Sequence, residues 1–170
     1  HFDGTSWVHV KSEDMLNAKD IVHIEVNPTN LSEIYVSSWF HLTAWGQNDN
    51  PIGMFKMVNN VMRKHYNSEN SSLKLEERIA GSKLDEQGNL WVAQSFLQSG
   101  GPSGIAKKTP NGNWSFIDIG GGNSGGIRPP IVHQEHLWVA LPRGGGGEVT
   151  DMQKVYKNTA FASFRNPPSH

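Results

Sequence analysis

The chain has 170 residues, with 15 basic against 16 acidic side chains and a formal charge of −1. That length fits one domain or two, and the balanced, interleaved charge speaks against nucleic acid or an anionic membrane as the main partner. Zero cysteines exclude disulfides, thiolate metal sites and cysteine nucleophiles.

The opening stretch, HFDGTSWVHV, carries no initiator Met, basic region or apolar region, so no signal peptide is visible. It reads as mid-strand sequence, and a mature product or a piece of a longer chain is expected. Segment 5–11 (TSWVHVK) alternates as a strand does, and SEDMLNAKD (12–20) is a short helix candidate. IVHIEVN (21–27) and EIYVSSWF (33–40) are strands by their Val, Ile and Tyr content and their Asn and Pro boundaries. MFKMVNNVMRKH (54–65) is open to two readings. Met54, Met57, Val58, Val61 and Met62 would share a helix face, yet a β reading fits its place in the chain equally well. NLWVAQSF (89–96), NWSFIDI (113–119) and HLWVALP (136–142) complete the strands. No apolar run approaches the ~20 residues that span a bilayer.

Three segments share one plan: 21–39, 79–96 and 127–143. In each, an apolar strand, a polar turn and a strand with an aromatic beside Val follow in order. The aromatics are Tyr35, Trp91 and Trp138, spaced 56 and 47 residues apart. Four strands per unit of this length is the signature of a β-propeller blade. The fold class expected is therefore all-β, with about three four-stranded antiparallel blades of a larger propeller. The whole of 1–170 reads as one partial propeller, with blades at about 21–69, 78–119 and 125–161. Residues 5–11 are then the outer strand of a preceding blade. Closed propellers use 4–8 blades, so three alone would leave open edges. The repeated aromatic is read as filling the space between blades.

Successive antiparallel strands alternate ends, so the second-to-third connections share a rim with the inter-blade segments. That rim collects the WFH…W run and the glycine-rich stretches. Arg143 and Gly144, in the run PRGGGG, could meet an anionic or sugar group where flexible backbone permits close approach. Trp39, His41 and Trp45 cluster on the same rim, and the two indoles could stack on a sugar ring. The alternative stays open that the glycines only turn the chain and Trp39 packs between blades. His133 and His136 sit at a hairpin turn without the further ligands zinc requires. The glycine runs lack the Lys-Ser/Thr and helix of a phosphate loop. No carboxylate pair or G-x-S-x-G points to hydrolysis. Asn30, Asn70 and Asn113 open sequons by pattern alone.

LDEQGNLWVAQS resembles the repeat of two-component-regulator-type propellers. Taken with EIYVSSWF, HYNSENSSL, TPNGNWSF and LWVALPRGGG, residues 3–150 resemble the PorZ-like surface propellers of the type IX secretion system. Leu42 and the polar run EVTDMQKVY depart from that pattern. The resemblance implies a larger, non-enzymatic protein of the cell surface or outer membrane, without a cofactor. It implies a sortase partner in the attachment complex and delivery of anionic lipopolysaccharide. An alternative is the periplasmic, oligosaccharide-sensing propeller of a hybrid two-component regulator. An enzyme scaffolded on a propeller is the third reading, and fold alone does not separate the three.

Overall fold

The structure, a computed structural model, describes residues 4–7, 9, 11–18, 20–38, 53–74, 78–95, 104–118, 130–133, 136–142, 149–156 and 161–165. Twelve strands among them form three four-stranded antiparallel sheets, each a simple meander. The first sheet holds β1 (Ile21–Val26), β2 (Glu33–Ser38), β3 (Gly53–Val58) and β4 (Val61–Tyr66). The second holds β5 (Arg78–Leu84), β6 (Leu90–Ser95), β7 (Gly104–Lys108) and β8 (Trp114–Asp118). The third holds β9 (Ile131–His133), β10 (His136–Pro142), β11 (Val149–Tyr156) and β12 (Phe161–Arg165). First strands meet one another, β1 with β5 and β5 with β9. The sheets fan outward from them as propeller blades do.

The ambiguous segment 54–65 is a hairpin, not a helix. Asn59 and Asn60 take φ of 51° and 65°, the left-handed pair that a two-residue turn between β3 and β4 requires. Its helix-like apolar spacing has a different cause: β3 is covered on both faces, so Met54, Phe55 and Met57 are all buried irrespective of alternation. Among the described residues of 12–20 only Ser12–Met15 is helical, as one 3₁₀ turn, and left-handed φ at Leu16 and Asn17 ends it. Within 5–11, Trp7 makes an isolated bridge and is 81% exposed.

Two turns explain a good deal of the repeat. In Asp85–Asn89 the Asp85 N–H donates to Asn89 O (3.0 Å) and Gly88 N–H to Asp85 O (2.9 Å). Thr109–Asn113 repeats the pattern, with Thr109 N–H to Asn113 O and Gly112 N–H to Thr109 O, both 2.9 Å. Gly88 and Gly112 stand at φ +77° and +89°, where a Cβ is disfavoured. Asp85 then does more than turn the chain. Its carboxylate accepts from the N–H groups of Gln87 (3.0 Å) and Asn89 (2.8 Å), and from the Trp91 indole N–H at 2.9 Å. The run DEQGNLW is thus one hydrogen-bonded unit that fixes where the indole points.

Alternation on the second strands sorts side chains between neighbouring sheets. Tyr35, Met54 and Tyr66 of the first blade meet Leu84, Leu90, Val92 and Ala106 of the second. Trp91, Ala93 and Ile105, on the second blade's other face, meet Leu137 and Val139 of the third. Trp91 is fully buried there. The opposite face of the first blade, with Val36, Phe55 and Met57, is covered by Met15 and Ala18 from the 12–18 segment.

Gly53 and Gly104 open the third strands of their blades. A Cβ on Gly104 would collide with the Phe116 ring and Ile117 O, and one on Gly53 with Tyr66 O. The third and fourth strands approach too closely there for a side chain. Gly104→Ala should therefore lower stability by roughly 1–3 kcal/mol through overpacking, read as a lower denaturant midpoint. Asp85→Ala should cost roughly 1.5–3 kcal/mol by leaving the buried indole N–H unpaired, with a shift in Trp91 fluorescence as its local signature.

Candidate functional site

β1 and β5 lie side by side in the same sense: His23 meets Ser82 and Glu25 meets Leu84. The first two blades are therefore stacked in like orientation. The strand ends Ser38 and Gly53 in one, and Ser95 and Gly104 in the other, fall on a common edge. Segments 39–52 and 96–103 join those ends. In the third blade, segment 143–148 joins the equivalent ends, Pro142 and Val149. The rim inferred from the sequence thus has its strand framework in place. Trp39, His41, Trp45, Arg143 and Gly144 themselves lie outside the described residues.

Sequence reasoning missed the polar groups in the seam between the first two blades. On β1 one face presents Val22, Ile24 and Val26, all exposed, and the other presents His23 and Glu25. Glu25 is buried. Its Oε1 accepts from Lys83 Nζ at 2.9 Å and from the Leu84 N–H at 3.1 Å. His23 Nε2 lies 2.9 Å from the Ser82 carbonyl, which can only accept, so that nitrogen carries the proton. The same nitrogen is 3.9 Å from Glu25 Oε2. Burial raises the Glu25 pKa, but the hydrogen bonds from His23, Lys83 and Leu84 and the Lys83 charge outweigh it, and the carboxyl ends below 4.5. A signal was present in IVHIEV, where a His and a Glu share one face of an otherwise apolar strand.

A second polar group lies farther out in the same seam. Glu33 receives Lys56 Nζ at 2.6 Å, the Tyr35 hydroxyl at 2.8 Å and Asn27 Nδ2 at 3.3 Å. Burial raises its pKa and these partners more than offset it, so Glu33 too is held below 4.5. Burial, and then the Glu33 charge, push the Tyr35 phenol upward. Lys108 lies over the Tyr66 ring, 5.9 Å from its centroid, and Tyr66 meets Trp114 edge-on at 5.4 Å. Burial and the nearby Lys56 charge lower the Lys108 pKa against the pull of Glu33. Chemically this arrangement holds phenols and ammonium groups in place. Each carboxylate in it is already engaged. Among the described residues no group of three or more His, Asp or Glu could hold a metal ion.

Because the folded pKa of Glu25 is depressed, its stabilisation is complete above the unfolded value near 4.5 and is lost as pH falls through the folded value. Glu25→Gln should cost about 1–2 kcal/mol at neutral pH, a figure held down by the 43% exposure of the Lys83 side chain. The gap from wild type should close as pH falls from the unfolded value near 4.5 through the lower folded value, and parallel pH curves of the unfolding midpoint would contradict the assignment.

No protein-family model and no curated protein matches the sequence. Among solved structures, PorZ of Porphyromonas gingivalis, described as an essential bacterial surface component of the type IX secretion system, superposes with a TM-score of 0.61. Identity is 15%, and the match covers 83% of this chain and 19% of PorZ. The extracellular domain of BT4673, a putative hybrid two-component system of B. thetaiotaomicron, gives a TM-score of 0.37 at 11% identity, covering 88% of this chain and 24% of that one. A score that low carries no argument. The chain thus spans about a fifth of PorZ, and over that span its three sheets are β-propeller blades of the kind PorZ contains.

Proposed function

We propose that the chain is a propeller segment of a non-enzymatic cell-surface component of the type IX secretion attachment machinery. It binds a sortase partner and anionic lipopolysaccharide through the rim bearing Trp39, His41, Trp45, Arg143 and Gly144. The observation that carries this reading is the likeness to PorZ over most of the chain. The LPRG and YNSENSSL stretches add to it from the sequence side. The residue types in segments 39–52 and 143–148 suit an anionic glycan: arginine carries a permanently charged guanidinium, glycine permits close backbone approach, and indoles can stack on sugar faces.

Affinity capture with the full-length protein should recover the surface sortase from outer-membrane extracts, and its absence would count against the reading. Arg143→Ala should weaken binding to purified anionic lipopolysaccharide about tenfold, equivalent to about 1.4 kcal/mol, without altering the unfolding midpoint. The full reading frame separates the sensor alternative, which requires a transmembrane helix and a kinase. Among the described residues no helix is long and apolar enough to cross a membrane.

A further inference from the structure

Among the described residues main-chain pairing ends at each blade's edge, and the polar links between the first two blades each involve a side chain. Hydrophobic contact is non-directional and sets the register between blades loosely. Directional links have to do the rest, and His23 to Ser82 and Glu25 to Leu84 are two of them.

Beside these links stand two hydroxyls that the fold leaves unpaired. Ser37 Oγ and Ser82 Oγ are buried and have no hydrogen-bond partner among the described residues. Ser37 is 0% exposed and Ser82 1%. Both belong to the same seam. Ser37 follows Tyr35 by two residues on β2, so it shares the Tyr35 face that meets the second blade. Ser82 precedes Leu84 by two on β5, and Leu84 packs in the same cluster as Tyr35. The two strands pack directly on one another. His23 ties the positions together, since it opposes Ser37 in the β1–β2 ladder and its ring reaches the Ser82 carbonyl.

Burying a hydroxyl with no partner is costly, and proteins meet that cost with internal water where a polar site permits. We propose that one buried water molecule bridges Ser37 Oγ and Ser82 Oγ, as a further polar link across the seam, between the second strand of the first blade and the first strand of the second. Water fits where an ion does not. Neutral hydroxyls both donate and accept, as water does, while the Lys83 ammonium on the neighbouring carboxylate repels a cation. The nearby Glu25 carboxylate likewise repels an anion. The link needs no part of the rim and stands independently of the proposed binding role.

High-resolution crystallography of the full-length protein, with Ser37→Ala, Ser82→Ala and the double variant, tests this. The expected result is one density peak within hydrogen-bond distance of both hydroxyls. Each single variant should lower the unfolding midpoint by a few degrees, and the double by less than the sum, because both act on one bridge. A raised midpoint overturns the proposal, since deleting a truly unpaired buried hydroxyl relieves a desolvation penalty. A seam without density, or hydroxyls rotated onto main-chain carbonyls, overturns it as well.

Discussion

Face-to-face stacking of one blade on the next is the interaction on which the molecule depends. A four-stranded meander satisfies its internal backbone groups but leaves two apolar faces, and neither can be buried from within the sheet. The chain solves this by giving each second strand two different faces. An aliphatic pair turns one way, Leu90 and Val92 toward the first blade, while Trp91 turns the other way toward the third. Leu137 and Val139 repeat the aliphatic pair and receive Trp91. This is also why the residue types recur while the turns between them vary.

Stacking of this kind fixes depth well and sideways register poorly, which gives the buried polar groups their role. Asp85 orients Trp91 from within its own blade, and Glu33 does the same for Tyr35. Glu25 works across the seam. It binds Lys83 and a main-chain N–H of the next blade, a geometry that only one relative placement of β1 and β5 allows. An apolar side chain there would lose the link but also the desolvation cost, so the choice of Glu favours defined register over added stability.

The same division of labour bears on function. Strand pairing holds the ends at Ser38, Gly53, Ser95 and Gly104, and the segments between them vary in length and composition without disturbing the seams. The exposed Val22, Ile24 and Val26 face of β1 is of the same apolar character as the faces the blades bury against one another.

The strands at 21–26, 33–38, 90–95, 114–118 and 136–142, the three-fold repeat and the inter-blade place of Tyr35 and Trp91 were readable from period-2 alternation and aromatic spacing, because those patterns are set by the pleat itself. Counting antiparallel strands also put the second-to-third strand ends of the first two blades on a common edge. Segment 54–65 was not readable, since a strand covered on both faces loses its alternation and mimics a helical stripe; only the left-handed φ of Asn59 and Asn60 decides it. Nor could sequence pair Glu25 with Leu84, 59 residues away, or pack β2 against β5 with the Ser37 and Ser82 hydroxyls buried between the blades. Those contacts arise from how two separate sheets settle against each other. Local sequence determines the pleat of each strand, and only the stacked structure decides which buried polar groups meet.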